Sequence, residues 1–109
     1  MREWLSRDWT PEVYRNELLL KVFFGRNAEP SVTQRHVERF RAQCASEIAT
    51  YEQVVKVIEG EHARNHPDAP FWKMTVNYGL HNSRALKEWA EETLKVLDGL
   101  AKEPETAGK

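Results

Sequence analysis

Two long series of apolar residues constrain this chain more than anything else in it. The first falls at Val37, Phe40, Cys44, Ile48, Tyr51, Val54, Val55 and Ile58, and the second at Trp72, Val76, Gly79, Ser83, Leu86, Ala90, Leu94 and Leu97. Steps of three and four put each series on one face of an α-helix. Ser31 stands as a cap before the first helix and Gly60 as its stop, while Asp68 and Pro70 mark the start of the second, which is expected to run from about Phe71 to Leu100. Helices of about 30 residues span about 45 Å. A compact domain of this size has a radius of gyration of only about 13 Å. Paired as an antiparallel hairpin, the two helices still leave apolar length uncovered.

A further stripe beside the second series, formed by Phe71, Met74, Tyr78, Trp89 and Leu100, makes that excess larger. Gly79 inside a helix costs about 1 kcal/mol relative to alanine. Together with Ser83 one turn on, it predicts close approach by another helix. Glu52 and Lys56 have the spacing of an ion pair on the solvent side of the first long helix.

Ahead of the hairpin lies RNELLLKVFFG, where six of the seven residues from Leu18 to Phe24 are apolar and Lys21 alone interrupts. Thr10 as cap, Pro11 at the first helical position, Glu12 in the first turn and Gly25 as a left-handed stop predict one helix of about four turns. Val13, Leu18, Leu19, Leu20, Val22, Phe23 and Phe24 wrap more than one of its faces. Such a helix is buried on most sides or exposes apolar surface that this chain does not cover.

Composition narrows the function. The 109 residues suit a single domain, with 40% apolar and 30% charged residues, as in soluble globular proteins. A net charge of −1 lacks the basic excess of a free-standing nucleic-acid binder. The opening MREWLSRDW carries charges where a secretion signal has an apolar core, which predicts a cytoplasmic protein. The longest uninterrupted apolar run, three residues, is far short of a membrane span.

Chemistry-bearing residues are few. His62 and His66 share a helical spacing, but two histidines do not make a metal site, so no metal or cofactor is expected. His36 and His81 read as surface or packing residues. The lone Cys44 lies on the apolar series and reads as a buried, inert thiol. Arg35, Arg39 and Arg41 around His36 read as a solvated face. No phosphate loop or nucleophile elbow occurs, so the chain is not expected to be an enzyme.

The fold class that follows is all-α: a short buried helix plus a long antiparallel hairpin. A second copy covers the excess apolar length in a four-helix-type interface. Phe40, Cys44, Tyr51, Ile58, Trp72, Val76, Gly79, Leu86 and Trp89 are the expected homodimer contacts. Phe23, Phe24, Trp72, Tyr78 and Trp89 are the candidate pocket for a small aromatic effector.

These elements resemble the C-terminal domain of PadR-type transcriptional regulators, also called the virulence activator alpha C-terminal domain. The residues that carry the resemblance are REWL at Arg2 to Leu5, the charged residue, apolar run and glycine of RNELLLKVFFG, Gly79, and ALKEWAEETLKVL at Ala85 to Leu97, with Trp89 at the place of the family's tryptophan. Together they reach over about residues 2 to 100. The resemblance implies a two-part regulator whose N-terminal winged helix reads DNA and whose C-terminal helices form the homodimer, some members also sensing phenolic acids. No winged helix is present here, so about 80 further residues would have to precede Met1, and DNA contact is expected only through them. Residues 1–10 are then the remnant of a linker, 11–100 the dimerisation domain and 101–109 a polar tail. The alternative is a stand-alone small-molecule-binding or modulator protein that pairs with other regulators.

Overall fold

The computed structural model describes residues 1–10 and 16–102. Its helices are α1 (Arg2–Ser6), α2 (Glu17–Phe23), α3 (Pro30–Ile58) and α4 (Ala69–Lys102), with a 3-10 turn at Gly25–Asn27 between α2 and α3. Among the described residues there is no strand, and α3 and α4 pack together as the long antiparallel hairpin.

The hairpin seam repeats every seven residues on both helices. On α3 it runs through Val37, Cys44, Tyr51 and Ile58, and on α4 through Ala69, Val76, Ser83, Ala90 and Leu97. A seven-residue repeat is the spacing of helices that cross at a shallow angle, about 20°, and stay in contact along their length. Val37, Cys44, Ile58, Ala69, Ser83 and Ala90 are buried along it. Most of the α4 contributions are small, which lets the larger α3 side chains seat against its backbone. The extreme case is Gly79, which lies under the Tyr51 ring; the expected close approach at this glycine is met within one chain.

Both long helices start one or two residues before their expected positions. Pro30 occupies the first turn of α3 and Glu29 its N-cap, so Ser31 is inside the helix rather than its cap. Proline suits the first turn, where its missing N–H has no partner to lose. The α3–α4 connection is closed by His66. Its Nδ1 accepts the Asp68 backbone N–H at 3.0 Å, and its ring stacks on Trp72 with centroids 4.6 Å apart.

The segment before the hairpin departs more from expectation. Asn16, in an extended conformation, caps α2 by accepting the Leu19 N–H at 3.0 Å. The helix therefore has seven residues, about two turns rather than four. The start signals at Pro11 and Glu12 lie outside the described residues, as does Val13. Gly25 is not left-handed, since no described residue has a positive φ; it opens the 3-10 turn instead. Nor is α2 a buried helix: Leu18 and Val22 are half-buried, and Leu19, Leu20, Phe23 and Phe24 are exposed. Leu19, Leu20, Phe23 and Phe24 are the apolar excess expected of this run. Residues 1–10, expected as linker, contain the short α1, with Trp4, Leu5 and Trp9 all exposed.

Candidate functional site

The two flanks of the hairpin differ. On one, Lys73 pairs with Glu59 at 3.1 Å, Arg84 with Glu52 at 3.7 Å, and Arg41 with Glu91 at 2.6 Å. Glu52 thus turns to the facing helix and not to Lys56. Arg41 brings both Nε (2.9 Å) and Nη2 (2.6 Å) onto the same Glu91 oxygen. That charged hydrogen bond, helped by nearby Lys87, holds the Glu91 carboxyl below the usual glutamate range. Arg35 and Arg39 remain on the solvent side.

The other flank carries Phe40 and Trp89, packed edge to face with centroids 5.9 Å apart. From there an apolar stripe continues onto the outer side of α4. Counted at 3.6 residues per turn, Phe71, Met74, Tyr78, Trp89, Val96 and Leu100 lie roughly 130° round the helix from the seam. Tyr78 is 77% exposed and Phe71 65%, and Val54 and Val57 extend the surface onto α3. Large apolar side chains left exposed in this number on one side of a helix are more than scattered single exposures.

The structure divides the expected interface residues into two groups. Cys44, Ile58 and Gly79 are occupied inside the hairpin: Cys44 and Ile58 are buried, and the Tyr51 ring covers Gly79. Burial, and secondarily the charge of Glu47, pushes the Cys44 thiol up. Phe40, Val76, Leu86 and Trp89 are half-buried at the flanks, and Trp72 is exposed above His66. Within the first stripe of α4 the facing helix of the same chain covers Gly79, Ser83 and Ala90, while Val76 and Leu86 stay half-buried and Trp72 exposed. The second stripe, Phe71 to Leu100, remains outward, and the signal for it was already visible as the adjacent series.

The expected aromatic pocket does not assemble within one chain. Phe23 and Phe24 pack edge to face on each other, with centroids 4.9 Å apart, beside the start of α3. Trp72 and Tyr78 lie toward the loop end, and 17 residues of helix put Trp72 roughly 25 Å from Trp89. Sequence reasoning missed a different hollow, between the α2 end of the chain and the open end of the hairpin. It is lined by Val22, Gly25, Arg26, Thr33, Leu97 and Leu100, among others.

Among the described residues no group of three or more His, Cys, Asp or Glu side chains is arranged to hold a metal ion. None of the described helices is long and apolar enough to cross a membrane. Residues 14–98 match the family profile described as Virulence activator alpha C-term. No curated protein and no solved structure shows significant similarity to the chain.

Proposed function

The chain belongs to the virulence activator alpha C-terminal family, and from that premise we propose that it is the homodimerisation module of a two-part, PadR-like transcriptional regulator. It acts in the cytoplasm, without catalytic activity, and meets DNA only through a winged-helix domain joined to it. The observation that carries this reading is the outer stripe of α4. Its aromatic and aliphatic side chains are exposed on a hairpin whose own seam is already filled. A second copy brings an identical stripe, and pairing the two through a twofold axis gives a four-helix layer. The interhelical ion pairs lie on the opposite flank, so this association buries little formal charge.

Sedimentation equilibrium at micromolar concentration tests the proposal directly. The expected mass is that of two chains. Tyr78→Glu and Val96→Glu place a charge on exposed positions that a single hairpin tolerates, so each should give a monomer with unchanged helical circular dichroism. A wild-type monomer, or a dimer indifferent to both substitutions, overturns the reading.

A further inference from the structure

We propose that Phe23 and Phe24, at the end of α2, seat in an apolar groove at the loop end of a second copy's hairpin, so that each chain grips the other through a reciprocal pair of contacts. The inference rests on the homodimer reading and names the contact that completes it. Phe23 is 80% exposed and Phe24 58%, and Leu19 and Leu20 beside them are exposed as well. Among the described elements α2 contacts only the beginning of α3 and the 3-10 turn. Its own chain therefore leaves these four side chains to water.

The groove lies at the other end of the hairpin. Val54 and Ile58 of α3 and Trp72, Thr75 and Val76 of α4 line it, and its volume is about 410 Å³. Aromatic side chains held in such pockets are the usual anchors of an interface. Counted at 3.6 residues per turn, Val54 and Thr75 stand on the Phe40–Trp89 flank. The α2 end meets that same flank, since Val22 shares the open-end hollow with Leu97 and Leu100. The aromatic knob and the groove thus occupy one flank at opposite ends. From Thr75 to Leu97 is roughly 33 Å of helix, which puts the groove out of reach of α2 in the same chain. A twofold axis at the midpoint, beside Leu86, brings each knob to the other copy's groove, because an isologous pairing makes every contact twice. The outer stripe of α4 spans the distance between them. Alone it offers six large side chains, whereas a stable interface draws on roughly 20–30 residues from each partner. Charge agrees with this arrangement. In residues 17–27 Lys21 and Arg26 outweigh Glu17, and in residues 59–68 Glu59, Glu61 and Asp68 outweigh Arg64. The two ends therefore attract across the interface.

The test uses the full chain. A dimer is mixed from isotope-labelled and unlabelled copies, and nuclear Overhauser effects are recorded only between the two. Expected are contacts from the Phe23 or Phe24 ring protons to methyl groups of Val54, Ile58 or Val76. Phe23→Lys and Thr75→Glu alter exposed side chains. Each should leave helical circular dichroism unchanged and raise the dimer dissociation constant at least tenfold in sedimentation. The double variant, whose new charges meet across the interface, should dimerise at least fivefold more tightly than either single variant. A wild-type monomer overturns the homodimer and this contact with it. The contact alone is overturned by a dimer that Tyr78→Glu dissolves but Phe23→Lys and Thr75→Glu leave intact. The same holds if the double variant is no tighter than the single ones, if neither ring shows a cross-chain contact, or if the rings meet each other or a surface outside the groove.

Discussion

The ring of Tyr51 lies across Gly79 so closely that a β-carbon at position 79 would stand 2.6 Å from Cζ and 2.9 Å from both Cε atoms. Alanine at 79 gains about 1 kcal/mol in helix propensity but displaces the ring, and overpacking costs about 1–3 kcal/mol. Gly79→Ala should therefore lower stability by about 1 kcal/mol in urea unfolding. In a Tyr51→Ala background the same substitution should become stabilising. A sign that does not reverse between the two backgrounds would mean that the ring is not what excludes a side chain there.

The Arg41–Glu91 contact sets a pH dependence. The carboxyl is held below the usual glutamate range by the Arg41 hydrogen bond, so the folded chain binds this proton less readily than the unfolded chain. The stability it contributes is complete above the ordinary glutamate range and is lost as pH falls through the lowered value. In Arg41→Gln the Glu91 carboxyl should titrate higher, and the acid side of the stability profile should flatten. Carbon-detected titration of Glu91 in both proteins measures this.

Cys44 should be silent in the native chain. It is 2% exposed, and burial raises its pKa, so both access and the thiolate fraction are low. A thiol-specific disulfide reagent at pH 8 should label it only as fast as the hairpin opens, and rapidly in denaturant. The raised value also means that the thiol favours the folded state until pH rises past its ordinary range, where the unfolded chain ionises first. Fast native labelling would place the sulfur at the surface.

Asn16→Ala removes the side-chain cap of a two-turn helix. Loss of such a cap costs about 1 kcal/mol, and α2 contacts only the beginning of α3 and the 3-10 turn among the described elements. Amide exchange should accelerate through Leu20 and Val22 while the urea midpoint of the hairpin stays in place. A global loss would show that α2 supports the hairpin more than its contacts suggest.

The hairpin was legible because its evidence is periodic and local: a stripe at helical spacing, a proline at a helix start, a glycine where another chain segment must approach. The partner of each stripe was not legible. Trp72 to Leu97 reads equally well as facing α3 or facing another molecule, and only packing shows that Ser83 meets Glu47 at 3.1 Å inside the same chain. The length of α2 turns on Asn16, whose side chain accepts the Leu19 N–H and starts the helix beside the apolar run; the start signals at Pro11 and Glu12 lie outside the described residues. The hollow at the open end draws its walls from Val22, Thr33 and Leu97, which no local pattern joins.

The chain measures 64 × 33 × 16 Å along its principal axes, with a radius of gyration of 19.8 Å. Its smallest dimension is little more than the roughly 10–12 Å diameter of one helix with its side chains. In such a thin layer complete burial is confined to a few seam residues such as Val37 and Ala90, and Leu80 keeps contact with solvent. A truncation such as Leu80→Ala therefore opens onto water instead of leaving a sealed void, and its cost should fall near the low end of the roughly 2–5 kcal/mol range for buried leucines. Depth is a property this chain gains only when something lies against it. The same truncation should become more costly in whatever assembly supplies that second layer.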